Sequence, residues 1–584
     1  MNLWVGVAIV VLAAAAVPAV AAVKAGGAAD AKFKALYTRE WTWREDQFAS
    51  GEDDVKEIVD HLPKVDPASQ ETRLRYWQAV MAALDAIPRA KLSAANQVNY
   101  DVYKPQIEGL IADWKFRGYE MPANSDSTFW TDLGYTARQD FKKRDDYVHW
   151  IAQMRDVPRY FHEQVDAMRA GLKRGFTPPQ VTLQGRDASI TNVTKAKPED
   201  SLFYEPFKTM PGVAPDDQAR LRAEAVEVIA HQVQPAYREL LAFWNGEYVP
   251  GARKTLAAQD MPDGKAYYRQ QILEYTTLDM SPADIHALGE AEVAKLHAQM
   301  VEVMTQTGFK GEFPAFLAFL RSDPQFAAKT PQDLLDKAAW IAKTFDGKAS
   351  TWFGRLPRAR FAIKPVPDDL APFYTSGRGG PGAYLLNTYD LPHRPLYNLT
   401  ALTLHESAPG HAFQMPLASE DKTLPDFRRT SYISAYGEGW ALYCEWLGDE
   451  MGMYQTPYDR FGMLGYQIWR AVRLVVDTGI HSQGWTRERA IQYMHDYTAL
   501  PDHEIETEVD RYIAWPGQAL SYYLGEMAIR KARAKAEAAL GPKFNIRAFH
   551  DTVLQLGSVP MPVLEARIDR FIAEGGKGPY PDEE

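Results

Sequence analysis

A mostly α fold with a small β element is predicted for this chain of 584 residues, and three observations predict it. Apolar residues recur at helical spacing through most long windows, strand-like alternation is confined to two short stretches, and a hydrophobic fraction of 46% is enough for a real core. In chain order the helical windows are residues 71–87, 96–114, 216–248, 281–305, 331–346, 458–476 and 519–540. Asp and Ser stand at several of their expected N-caps, where a side-chain oxygen satisfies the first free backbone N–H groups. The strand-like stretches are residues 361–366 and 383–388, and residues 378–382 (Arg-Gly-Gly-Pro-Gly) read as a flexible turn before the second. No internal repeat and no low-complexity linker interrupts the pattern.

Residues 3–20 form an apolar run followed by Ala19-Val20-Ala21, the small-x-small form of a leader-peptidase site. Residues 1–22 are therefore expected to be a secretory signal, although no Lys or Arg precedes the run, and an uncleaved leader would remain as a membrane anchor. Export places the protein in the periplasm or outside the cell. No cysteine closely follows the run, which speaks against a lipidated N-terminus, and Cys444 is the only cysteine, so no intramolecular disulfide forms. The formal charge of −11 and pI near 5.7 argue against nucleic acid or an anionic membrane as partner, and leave a peptide-sized substrate compatible.

The chemistry concentrates in His405-Glu406-Ser407-Ala408-Pro409-Gly410-His411. Composition alone gives roughly 10⁻³ chance matches to such a pattern in a chain this long. Two imidazoles supply nitrogen ligands for a catalytic Zn2+, which takes three protein ligands and keeps one position for water, and the intervening carboxylate can accept that water's proton. In an HExxH helix the histidines stand four residues apart and face one ion, whereas a separation of six is about 240° around a regular helix. The helix must therefore break, and Pro409-Gly410 is the place for it.

A third ligand is expected from the next acidic helix. Glu438, Glu445 and Asp449 align along one face of a segment otherwise rich in Trp, Tyr and Leu, so these carboxylates are buried and want a cation. Glu438 is assigned as the ligand, with Glu445 as the fallback and as the partner of a ligand histidine's second ring nitrogen. Arg473, Asp477 and His481 recur every four residues on one helix face, where a salt-bridged face and a functional one are both open readings. Arg473 and Arg511 are the arginines put forward to bind a substrate carboxylate, Asn387 to hold substrate backbone, and Asp477 to support the centre from behind. His503 with Glu504 and Glu506 reads as a loop near the cleft.

Taken together, Gly382 to Pro392, His405 to His411, the block from Glu438, Arg473 to His481 and Arg511 to Gly525 resemble a large bacterial family usually labelled only as a domain of unknown function, with an HExxPGH signature. The resemblance covers almost all of the chain after the leader. Its layout is similar to the gluzincin peptidases with helical, deep-cleft folds, such as carboxypeptidase Taq and the angiotensin-converting and oligopeptidase groups. It implies a large helical zinc-peptidase-like fold in which residues 23–354 form one wall of a deep cleft and residues 355–584 the zinc-binding catalytic region. It also implies Zn2+ held by His405, His411 and Glu438, Glu406 as general base, and Tyr522, which matches a tyrosine two residues before Leu-Gly, as donor to the oxyanion. The function expected is a zinc metallopeptidase of carboxypeptidase or dipeptidase type; the alternatives are a zinc hydrolase of another amide or ester and a non-catalytic exported binding protein.

Overall fold

A computed structural model of the chain describes residues 27–48, 57–125, 127–368, 370–580 and 582; the expected leader at 1–22 lies outside the described residues. Helix accounts for 71% of the structure, as the periodicity predicts. The caps act as their chemistry requires: Ser281 accepts from Asp284 N at 3.1 Å to open Pro282–Gln306, and Thr456 with Asp459 forms a reciprocal capping box at the start of Pro457–Gln483. The window at 216–248 is less regular than its periodicity implies. It runs as Pro215–Val228, a π-helical stretch Ile229–Val233, Gln234–Phe243 and a second π-helical stretch Trp244–Tyr248. Pro235, which lacks an N–H to donate, stands two residues after the end of the first of these.

Two hydrophobic cores organise these helices. The larger gathers residues from Phe33 to Phe116, Phe176, and residues from Ala258 to Phe571, and the smaller gathers residues between Ile58 and Ala252, chiefly from Ala123 onward. Residues 123–252 supply most of the smaller core, and helices on both sides of residue 355, such as Pro282–Gln306 and Pro457–Gln483, pack directly on each other in the larger one.

The β element is a three-stranded sheet of order β1-β3-β2, with β1 Ala362–Pro365, β2 Gly377–Gly380 and β3 Ala383–Leu386. Strand β1 runs parallel to β3, and β2 pairs antiparallel with it, Gly379 opposite Tyr384. Here the structure corrects the sequence reading: the glycine run expected to be a flexible turn is itself a strand, and β2 rather than β1 or β3 lies against the histidine segment. Glycines carry no β propensity to announce it. A Cβ at Gly379 would stand 1.7 Å from Glu406 O, so only glycine permits this approach.

Candidate metal centre

The first histidine helix, Leu399–Glu406, ends one residue after His405, and the second, His411–Glu420, begins at the other histidine. Between them Ser407 leaves helical geometry at φ −98°, ψ −105°, while Gly410 N–H reaches back to Leu404 O at 3.0 Å. This is the break that the six-residue spacing demands. A Cβ on Gly410 would lie 1.7 Å from His405 O, so the return of the chain over the first helix end needs glycine. The two imidazoles consequently stand at a centroid separation of 5.0 Å with planes at 85°.

Glu438 enters from the helix Ser434–Glu450. That helix crosses Ser521–Leu540 at close range, where a Cβ on Gly439 would lie 2.4 Å from Gly525 C, and Trp440 Nε1 donates to Pro409 O at 2.8 Å. The carboxylate is thereby delivered to the histidines: Glu438 Oε2 is 3.4 Å from His405 Nε2 and 3.5 Å from His411 Nε2, and one ligand atom from each residue lies within 4.8 Å of the others. Zinc bonds of about 2.0–2.1 Å in a tetrahedron place ligands about 3.3 Å apart, so the set fits that ion. Glu438 Oε2 and His411 Nδ1 are buried without a hydrogen bond. Glu438, rather than Glu445, is the carboxylate that meets both histidines.

Glu445 stands behind. Fully buried, its Oε1 lies 2.7 Å from His405 Nδ1, which fixes that ring with Nε2 turned toward Glu438. Burial works against a charge on His405, but Glu406 first, then Glu438 and Glu445, push its pKa up to about 10. Burial likewise opposes ionisation of Glu438, yet His411 and His405 hold it well below the usual carboxylate range. Three acids around two imidazoles leave a surplus of negative charge that a dication neutralises. Tyr432 donates to the second oxygen of Glu438 at 2.8 Å, and Gly379 N–H donates to Glu406 Oε2 at 2.6 Å.

His405, Glu406, His411, Tyr432 and Glu438 border one cleft of about 2820 Å³, whose lining also includes Trp130 of the smaller core with Arg138 and Asn192. Tyr522 borders it, with Arg511 Nη2 at 3.5 Å from its hydroxyl. Arg473 and Arg511 border it too, but protein groups engage them: Arg473 donates to Tyr512 Oη and Glu508 Oε2, both at 2.9 Å, and Arg511 donates to Gln518 at 3.1 Å. His503 and Glu504 lie on the cleft in a helix, Asp502–Ala514, not a loop.

Two expectations fail. Asn387 is fully buried; its amide donates to the carbonyls of Ala371, Tyr374 and Thr375, and its oxygen accepts from Tyr389 N, so it ties the turn after β3 and has nothing left for a substrate. Asp477 does not support the histidines. It accepts from Tyr268 Oη at 2.6 Å and from Gly517 N at 3.0 Å, and burial pushes its carboxyl up to about 7. Its neighbour His481 accepts from Ala258 N and lies 2.8 Å from Tyr512 O, so the Arg473-Asp477-His481 face is a buried polar seam that joins helices. Sequence reasoning missed Gly379, Tyr432 and Arg470. A glycine inside a strand signals close backbone approach and could have pointed to the first; Tyr432 lies in an aperiodic segment that carries no signal.

Residues 46–568 match the profile of a family described as bacterial protein of unknown function, DUF885. No curated protein matches the chain. Among solved structures, one from Colwellia psychrerythraea described as a candidate lipoprotein superposes with a TM-score of 0.85 at 26% identity, over 94% of this chain and 98% of that one. A second, a candidate lipoprotein of unknown function from Shewanella oneidensis, shares the fold at a TM-score of 0.67 and 17% identity, over 92% and 98% of the two chains. In the present chain the single cysteine, Cys444, is buried in the helix that carries Glu438. Among the described residues no helix is long and apolar enough to cross a membrane.

Proposed function

We propose that this chain, which belongs to the bacterial DUF885 family, is a zinc-dependent hydrolase that cleaves peptides. The observation that carries the reading is the convergence of His405, His411 and Glu438 at one point beside Glu406, inside a cleft. A structural zinc site is closed by four protein ligands and has no use for a free carboxylate next to it. Similarity to the gluzincin peptidases is part of the proposal and accounts for the order of the ligands along the chain.

A zinc ion held by these three side chains supplies Lewis acidity and a water of lowered pKa. Glu406 is the group positioned to take a proton from the attacking water: Gly379 N–H holds Oε2, and among the described residues no hydrogen bond to Oε1 is found. Tyr522 borders the same cleft and its hydroxyl proton can go to an oxyanion, while Tyr432 gives its single proton to Glu438 and steadies that ligand. Strand β2 borders the cleft, and Glu406 takes up its outer edge at Gly379, so an extended peptide can pair only with the rest of that edge. The size of the cleft favours peptides over small amides or esters, since 2820 Å³ is several times the roughly 300–1,000 Å³ of a small-molecule site.

The test is incubation of the zinc-loaded protein with a mixed peptide library, the products read by mass spectrometry, beside Glu406→Gln. Cleavage by the parent that falls at least about 10²-fold in the variant, at equal zinc content, is the expected result. Equal turnover by the two proteins would refute the role of Glu406, and no cleavage by the parent would refute the peptidase reading.

A further inference from the structure

We infer that Arg470 anchors the C-terminal carboxylate of the peptide, so that the protein trims peptides from their C-terminal end; this rests on the peptidase reading above. Arg470 sits on the long helix Pro457–Gln483, borders the cleft and is only 5% exposed. Its guanidinium is held flat by aromatic rings, 4.2 Å from the Trp469 centroid and 4.6 Å from that of Tyr466. Nε and Nη1 are buried and make no hydrogen bond, Nη2 lies 4.0 Å from Glu445 Oε1, and the Glu504 and Glu508 carboxylates on the same cleft also feel its charge. A buried cation with unused donors is costly unless a partner completes it, and the planar fork of arginine matches a carboxylate.

The contrast with its neighbours singles it out. Arg473 and Arg511 already donate to Glu508, Tyr512 and Gln518, and Arg473 keeps only Nη1 without a hydrogen bond, whereas no hydrogen bond from Arg470 is found among the described residues. Arg470 is also linked to the metal ligands through one intervening side chain. Its Nη2 contacts Glu445 at 4.0 Å, Glu445 contacts His405 at 2.7 Å, and one imidazole ring separates that nitrogen from the metal-facing one. A carboxylate seated on Arg470 therefore leaves room for roughly one to three extended residues before the scissile carbonyl, at about 3.3–3.6 Å per residue. The step is plain hydrolysis: water oxygen bonds the carbonyl carbon, the C–N bond breaks, and the proton taken by Glu406 passes to the departing amine. The released piece carries the original C-terminus.

The probe is a library of randomised pentapeptides made twice, with free and with amidated C-termini. Hydrolysis by the zinc-loaded parent is read by mass spectrometry, and retention of each library by Glu406→Gln is read by ultrafiltration, which needs no turnover. The expected result is a preference for free acids of at least about 30-fold in both measurements, with fragments of one to three residues released from the C-terminus. In Arg470→Met and Arg470→Lys, each combined with Glu406→Gln for the binding arm, the acid-to-amide ratio should fall, toward one for Met and partway for Lys. Equal handling of acids and amides by the parent, or internal cleavage sites, would overturn the inference while leaving the peptidase reading in place. Acid-selective retention without any hydrolysis would uphold the anchor and remove the peptidase reading instead. A ratio unchanged in folded Arg470→Met would overturn the assignment to Arg470.

Discussion

Gly410→Ala should disable the metal centre without touching a ligand. The added Cβ would lie 1.7 Å from His405 O, 2.5 Å from His405 C and 2.6 Å from Leu404 O, all backbone atoms, whereas real Cβ contacts stay above 3.0 Å. The difference, 3.0 less 1.7, means that the two chain segments must separate by about 1.3 Å. Zinc sites tolerate only about 0.2 Å in ligand distance, so a shift of this size withdraws His411 or His405 from the ion. Loss of supporting contacts alone weakens metal sites about 10–100-fold, and loss of a ligand should exceed that, so we expect zinc affinity to fall by at least about 10²-fold. The assay is competition with a chromophoric chelator, with circular dichroism as the check on folding. Gly465→Ala is the control, because nothing lies within 4 Å of its Cβ position and alanine favours a helix. A folded Gly410→Ala protein that keeps the parent's zinc affinity would refute the claim that the turn at Gly410 creates the site.

Glu445→Gln should lower zinc affinity roughly 10–100-fold, since it weakens the contact that orients His405; an unchanged affinity in the same chelator assay would reduce Glu445 to a packing role. Gly379→Ala forces β2 away from Glu406 O, where its Cβ would stand at 1.7 Å, and disturbs the 2.6 Å bond to the carboxylate. Peptide turnover should drop at least about 10²-fold with zinc retained, and a normal kcat would show that this approach does not matter. Burial lowers the pKa of His481 to about 3, while Ala258 N–H occupies Nδ1. Its folded pKa lies below the unfolded value near 6.5, so the unfolded chain binds the extra proton between those limits. The stability this histidine confers is complete above about pH 6.5 and is lost as pH falls toward 3. The unfolding free energy of the parent in urea, relative to His481→Gln, should thus decline by about 1.4 kcal/mol per pH unit between about pH 6 and 4; a flat difference would contradict the neutral buried imidazole.

How much could be read without coordinates follows from the range of each interaction. The helices, their Ser and Thr caps and the forced break between His405 and His411 rest on spacings of a few residues. The amino-acid sequence determined them, along with the carboxylate helix that supplies Glu438 and keeps Glu445 behind it. Those features depend on helix geometry and on the chemistry of neighbouring side chains, which are local. The strand at Gly377–Gly380 was illegible because a glycine run has no alternation; the neighbours that hold it are β3 on one side and Glu406 on the other. Asn387, Asp477, Arg473 and Arg511 look in the sequence as free for function as Arg470. Only the folded packing decides that the first four are engaged by carbonyls, amides, Glu508, Tyr512 and Gln518, while Arg470 makes no hydrogen bond among the described residues, because a polar side chain's role is set by partners far away in the chain.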